Sequence, residues 1–212
     1  MTTRIALLTL LAALVLPSAV AQADNPKLVA VVGTNEAFVI SLRDSAGDLV
    51  THLDAGTYDI AVSDRAVAHN FHLQGPGVEM STPIGDKQET TWTVTFGDGR
   101  YTYVCDAHAS SMRGYFLAGN VPPTTSAAAV GPKKTISLKP KPTLPGPATI
   151  SVNDRSKTDN FHLSGPGVNR KTGVKSRARA TWNVTLVPGL YSYRSDKTKK
   201  LRGSFTVRFP AP

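Results

Sequence analysis

Apolar and polar residues alternate along short stretches of this chain. Between Thr91 and Phe96, Trp92, Val94 and Phe96 fall on one side of an extended backbone and Thr91, Thr93 and Thr95 on the other, because successive strand side chains point to opposite faces. The first set suits a core and the second suits solvent. The same period of two marks Ala37 to Arg43 and Thr57 to Ser63, both rich in β-branched and aromatic residues and set off by turn clusters of Gly, Asp and Pro. Amphipathic helical spacing is missing throughout. The pattern predicts an all-β chain with Trp92 and Trp182 as packing residues. Gly99-Arg-Tyr101 and Gly189-Leu-Tyr191 have the form of tyrosine corners, in which a Tyr near a strand start bonds back to the preceding connection.

The pattern occurs twice. Ile60-Ala-Val-Ser-Asp64-Arg65 returns as Ile150-Ser-Val-Asn-Asp154-Arg155, and Asn70-Phe-His72-Leu-Gln-Gly-Pro-Gly-Val78 returns as Asn160-Phe-His162-Leu-Ser-Gly-Pro-Gly-Val168. Thr91-Trp92-Thr-Val94 and Tyr101-Thr-Tyr103 return in the same register as Thr181-Trp182-Asn-Val184 and Tyr191-Ser-Tyr193. Repetition at this length means two copies of one fold, and the expectation is two tandem Greek-key β-sandwiches. The first is expected over residues 24–119 and the second over 131–212. Residues 120–130, uncharged and rich in Pro, Ala and Thr, are expected as a semi-extended linker.

The N-terminus has the form of a secretory signal peptide over residues 1–23: Arg4, an apolar run from Ile5 to Leu16, then Pro17 and the small-residue site Ala21-Gln22-Ala23. The apolar run is too short to span a bilayer, which takes about 20 residues, so the mature protein is expected to be exported and to have no membrane span. The expected location is periplasmic, cell-envelope or extracellular. Without a cysteine near the cleavage site no lipoprotein anchor is expected, and without paired arginines export of a folded protein is not expected.

Exported proteins meet an oxidising compartment in which cysteines pair, yet the chain has one cysteine, Cys105. That leaves an intermolecular disulfide, a buried inert thiol, or a thiolate protected by a metal. Its neighbours favour the metal. Tyr103-Val-Cys105-Asp-Ala-His108-Ala-Ser-Ser-Met112-Arg-Gly114 places a thiolate, an imidazole and a thioether in one short loop at a strand end. Soft sulfur donors with imidazole nitrogens form a copper ligand set, in a trigonal Cys-His-His arrangement with a long axial Met. The second His must come from elsewhere, and His69, expected to begin a strand beside the loop, is the leading candidate.

Cys105-x-x-His108-x-x-x-Met112-x-Gly114 with an upstream His69-Asn70 resembles the metal motif of the plastocyanin and azurin-type cupredoxins. The resemblance implies an eight-stranded sandwich holding one copper ion in a type 1 site through His69, Cys105, His108 and Met112. It further implies one-electron transfer with exit through His108, and a role for Asn70 in tying its segment to the cysteine loop. The His-to-Met gap is one residue shorter than in plastocyanins, as in azurins, and Ala107 stands where plastocyanins carry Pro. The second copy lacks every ligand: Asp159, Ser195 and Thr198 stand at the places of His69, Cys105 and His108, and Leu201 falls opposite Met112 after a one-residue deletion. It is expected to keep the fold without copper. His72 is paired with His162 in that ligand-free copy, so both are expected to be structural, and His52 is expected to be a solvated strand-end residue.

Other functions fit less well. Zinc has little use for the Met112 thioether, and a zinc hydrolase would have only Asp106 as a nearby base. A cysteine hydrolase built on Cys105 and His108 would lack an oxyanion hole. Multicopper oxidases and nitrite reductases, which resembling families build from repeated cupredoxin domains, need further His clusters, and this chain has five His with one in the second copy. The expectation is a non-enzymatic electron carrier with a redox partner the sequence does not name. A copper-binding or copper-delivery protein of the cell envelope is the alternative. Charge divides sharply between the copies: residues 24–119 carry six Lys or Arg against twelve Asp or Glu, and residues 131–212 carry seventeen against three. So lopsided a field attracts anions, which makes an acidic partner or anionic envelope surface the expected contact of the second copy. Nucleic acid is not expected, because the basic clusters contain no aromatic residues for base stacking.

Overall fold

A computed structural model of the chain describes residues 24–175 and 177–210. The expected signal peptide, residues 1–23, lies outside the described residues. Among those described, no helix is long and apolar enough to cross a membrane.

The first copy contains β1 (Lys27–Val32), β2 (Ile40–Asp44), β3 (His52–Leu53), β4 (Gly56–Asp64), β5 (His72–Gly75), β6 (Val78–Ser81), β7 (Gln88–Phe96), β8 (Gly99–Val104) and β9 (Arg113–Ala118). They form two sheets, in the orders β2-β1-β4-β7 and β3-β9-β8-β5-β6. Apart from the two-residue β3 this is an eight-stranded sandwich. The second copy contains β10 (Thr124–Gly131), β11 (Thr135–Lys139), β12 (Gly146–Asp154), β13 (His162–Gly165), β14 (Val168–Lys171), β15 (Ala178–Leu186), β16 (Gly189–Arg194) and β17 (Arg202–Val207). Its sheets run β11-β10-β12-β15 and β14-β13-β16-β17. In each copy the first and third long strands pair in parallel, β1 with β4 and β10 with β12. The chain is therefore all-β, two tandem sandwiches of cupredoxin-like form.

The alternating pattern becomes the core. Trp92, Val94 and Phe96 are buried while Thr91, Thr93 and Thr95 are exposed, and Trp92 packs with Phe71 in the first core. Trp182 is half-buried against the second core beside Phe161. Both tyrosine corners form. The Tyr101 hydroxyl lies 3.2 Å from Gly97 O and 3.1 Å from Pro76 O, and the Tyr191 hydroxyl lies 3.1 Å from Val187 O and 3.0 Å from Pro166 O. These rings explain the repeated Gly-Pro-Gly: a Cβ at Gly75 or Gly165 would stand 2.3 Å from the ring of Tyr101 or Tyr191.

Two expectations require correction. Residues 120–130 are mostly not a linker, since β10 starts at Thr124, pairs with β11 and β12, and turns Ser126, Ala128 and Val130 inward. Small residues disguise the strand: Ala127, Ala128 and Ala129 are poor strand formers, and pairing with β11 and β12 supplies the order that their own β-propensity does not. Likewise, His69 does not begin a strand. It lies in the irregular connection between β4 and β5, which starts at His72.

Candidate metal centre

Three connections at one end of the first sandwich meet over the core. The loop from β8 to β9 carries Cys105, His108 and Met112, the segment before β5 carries His69, and the turn from β1 to β2 carries Phe38. Backbone bonds close the first loop: His108 N–H donates to Cys105 O (3.0 Å), Met112 N–H to His108 O (2.9 Å) and Cys105 N–H to Met112 O (2.9 Å). A tight loop results, and a short 3-10 turn over Asp106–His108 brings the imidazole back toward the thiol.

His69 is held from two sides. The buried Asp64 at the end of β4 accepts from Thr82 Oγ1 (2.6 Å), whose oxygen in turn accepts the Phe71 N–H (2.8 Å). Burial raises the Asp64 pKa, partly offset by the bonds from Thr82 and the Ala66 amide. Asn70 binds the cysteine loop reciprocally, donating to Asp106 Oδ2 (2.7 Å) and accepting the Asp106 N–H (2.8 Å). Behind His69 lies Gly33, at φ +68°, where a Cβ would stand 2.3 Å from Ala66 Cβ and 3.0 Å from His69 Cδ2. No other residue fits that left-handed, crowded position without displacement.

His69 Nδ1 and His108 Nδ1 stand 3.0 Å apart, and Cys105 Sγ lies 3.7 Å from the first and 3.6 Å from the second. Among the described residues this trio is the group of His, Cys, Asp or Glu that converges closely enough to hold a metal ion. A triangle of these sides has its centre about 2.0 Å from each corner, close to metal–nitrogen bonds of about 2.0–2.1 Å and somewhat short of metal–thiolate bonds of about 2.3 Å. One proton can bridge the two nitrogens, but no single proton satisfies all three donors. The geometry fits a first-row metal ion. His69 and Cys105 are buried, at 1% and 0% exposure, and His108 is half-buried. Met112 is fully buried in the same core, its backbone bonded to Cys105 and His108.

The period of two over Ala37 to Arg43 groups Phe38 with Ile40 and Leu42, but β2 starts at Ile40 and Phe38 lies in the turn before it. Phe38 packs edge-on against both rings, 5.2 Å from His69 and 4.6 Å from His108, while 63% exposed. Exposed aromatic residues are a usable signal in a sequence only once the fold shows what lies beneath them. His72 takes no part in the trio. Its Nδ1 faces Asp106 Oδ1 (2.8 Å) and its Nε2 faces Glu79 Oε1 (2.7 Å). Burial works against the charged ring, but those two hydrogen bonds outweigh it and raise the pKa. His162 repeats the arrangement with Asp196 (2.7 Å) and Asn169 (2.7 Å), so the pair serves the fold. His52 is exposed at β3 with Nε2 3.0 Å from Gly119 O.

The second copy shows the same loop without the donors. Ser195 N–H bonds Leu201 O and Leu201 N–H bonds Thr198 O, each at 2.9 Å, which places Leu201 where Met112 stands. Asn160 and Asp196 repeat the Asn70–Asp106 tie at 2.8 and 3.0 Å, so that tie belongs to the fold and not to a metal. Gly114 is likewise a packing residue. A Cβ there would stand 2.2 Å from the Tyr103 ring, and one at Gly203 would stand 2.3 Å from that of Tyr193.

No protein-family model matches the chain, and no curated protein matches it. Among solved structures it is similar to the Cu-containing nitrite reductase from Thermus scotoductus SA-01, at 12% identity over 87% of this chain and 61% of that one, with a TM-score of 0.31. It is also similar to Lac15 from a marine microbial metagenome (12% identity, 89% and 67% covered, TM-score 0.31). A third is Fet3p, a multicopper oxidase that functions in iron import (9% identity, 86% and 51% covered, TM-score 0.29). The chain thus spans about three-fifths of the nitrite reductase and half of Fet3p. The chemistry of this chain lies in the residues of its own site.

Proposed function

We propose that this protein is an exported one-electron carrier that holds one copper ion in a type 1 site through His69, Cys105, His108 and Met112. The observation that carries the proposal is the triangle of two imidazole nitrogens and one cysteine sulfur, with a buried methionine in the same loop. A thioether favours copper over zinc, and a trigonal set of two nitrogens and one thiolate, with a weak axial thioether, is the blue-copper arrangement. Bound copper would supply a single redox step between its +1 and +2 states.

The chain's own residues suit that task. The loop bonds and the Asn70–Asp106 tie keep the donors in place whatever the charge between them, which limits reorganisation. Phe38 and the buried core exclude water from His69 and Cys105. His108 is the ligand that reaches the surface, and an electron would leave through its ring. The remaining histidines, His52, His72 and His162, are each engaged with protein groups, which supports a carrier over an oxidase with further copper centres.

Copper(II) added to the mature protein should give an intense blue charge-transfer band and a type 1 paramagnetic resonance spectrum, and Cys105→Ser should abolish both. A colourless wild type with a tetragonal copper spectrum would overturn the assignment. Reversible voltammetry with fast self-exchange identifies a carrier, whereas ready loss of copper to acceptors identifies a delivery protein.

A further inference from the structure

The second sandwich has rebuilt the end at which the first gathers its metal donors. Ser195 Oγ donates to Asp159 Oδ1 at 2.8 Å, closing the interior with a hydrogen bond between the residues that replace Cys105 and His69. Outside that bond lies a cleft of about 260 Å³ whose lining includes Lys133, Lys134, Arg155, Lys157 and Arg177. It shares Pro132, Arg155 and Arg177 with a neighbouring cleft of about 440 Å³ that adds Arg179. Six cations therefore converge: Lys133 and Lys134 from the β10–β11 connection, Arg155 and Lys157 from β12–β13, Arg177 from β14–β15, and Arg179 from the start of β15.

Among the described residues none of the six has a carboxylate within ion-pair distance; the Lys or Arg ion pairs found are Lys87–Glu36 and Arg194–Asp196. The two carboxylates lining the clefts are buried and occupied, Asp154 by Thr172 Oγ1 (2.6 Å) and Asp159 by Ser195 Oγ and Thr158 Oγ1 (2.8 and 3.0 Å). Asp154 and Asp159 offset part of the charge, but the cations outnumber them and repel one another, so the cluster works against folding unless something further neutralises it.

The turn that carries two of the lysines has an unusual backbone. Lys133 and Lys134 lie in a three-residue turn with φ of 68° and 52°. Gly, Asn and Asp hold consecutive left-handed positions at low cost, and lysine shares none of their advantages. The first copy's turn shares the feature at Asn35 and Glu36 (φ 55° and 58°), so it belongs to this turn of the fold in both copies. The corresponding turn of the first copy, residues 33–39, is longer and carries Phe38 over the imidazoles. Its shortening in the second copy removes that cover and puts two lysines at the rim instead.

We propose that this end of the second sandwich is a binding site for a linear polyphosphate-type anion, a chain of linked phosphate groups lying along the two joined clefts. Arginine forks match the paired oxygens of a tetrahedral oxyanion, and Arg155, Arg177 and Arg179 line the clefts while the lysines add charge at the rim. Linked phosphates carry negative charge densely enough to meet six cations within one cleft. The site is independent of the metal centre, so its test needs no copper.

Isothermal titration of the full mature chain with sodium tripolyphosphate at about 0.1 M salt should show one site. Arg177→Ser with Arg179→Ser should weaken binding at least about tenfold, the loss expected from removing charge-assisted bonds. Lys139→Ser with Lys141→Ser removes the same charge beyond the opposite end of β11 and should change binding by less than about twofold, a distance effect screened by salt. Circular dichroism confirms that each variant folds. Equal losses in the two double variants would replace the site with a diffuse field and overturn the proposal, as would no binding. Polyglutamate of equal charge binding as tightly, with the same sensitivity to Arg177 and Arg179, would overturn the phosphate assignment, and orthophosphate binding as tightly would overturn the linked chain.

Discussion

Gly33 offers the sharpest test of how the metal donors are positioned. Alanine there puts a methyl group 2.3 Å from Ala66 Cβ and 3.0 Å from His69 Cδ2, on a backbone at φ +68°. Left-handed backbone costs an alanine about 1–2 kcal/mol, and over-packing a close-fitted interior costs about 1–3 kcal/mol more. Together, about 2–5 kcal/mol is a large share of the roughly 5–15 kcal/mol that holds a domain folded. To restore ordinary contact the Ala66–His69 segment must retreat by on the order of 1 Å, beyond the roughly 0.5 Å tolerance of a ligand site. Gly33→Ala should therefore lower the Tm of the metal-free protein by about 10–20 °C and weaken the blue band. The double variant Gly33→Ala with Ala66→Gly removes the closest contact but keeps the backbone strain, so it should recover part of the stability and most of the colour. Thermal unfolding and copper titration of the four proteins form a double-mutant cycle. If the double variant is no better than Gly33→Ala alone, the contact with Ala66 is not what moves His69.

His69→Ala should bleach the copper site, whereas His72→Phe should keep its colour; reversed effects on the visible spectrum would mean that His72 is the ligand. Met112→Leu should retain copper and raise the reduction potential measured by voltammetry, since losing a soft axial donor destabilises copper(II), and an unchanged potential would remove Met112 from the ligand set. Tyr191→Phe leaves Val187 N–H without the hydroxyl it bonds at 3.0 Å and should cost about 1–3 kcal/mol in urea unfolding without altering the copper spectrum. At His72, burial opposes the charged ring, yet the bonds to Asp106 and Glu79 raise the folded pKa above the ordinary 6.5. Its stabilisation is then complete below that value and is lost as pH rises through the raised one. Unfolding midpoints between about pH 6 and 9 should fall with pH in the wild type and flatten in His72→Phe, and an equal slope in both would refute the account.

Strand periodicity was legible because burial on one face imposes a period of two, and the repeat was legible because tyrosine corners and ring-against-glycine contacts tolerate few substitutes. The donor types around Cys105 were legible for a related reason: a short loop leaves nearby residues no room to be far apart. β10 was hidden, since its run of alanines acquires strand structure from the partners it pairs with and not from its own preference. Phe38 and Gly33 were hidden too, because a turn far from the cysteine in sequence comes to lie on it only when β1 and β4 pair. The six cations of the second sandwich could be counted in the chain but not located. Charges distributed over three connections and the start of β15 become one cleft only once sheet pairing brings them to the same end, which is a long-range contact that no local pattern encodes.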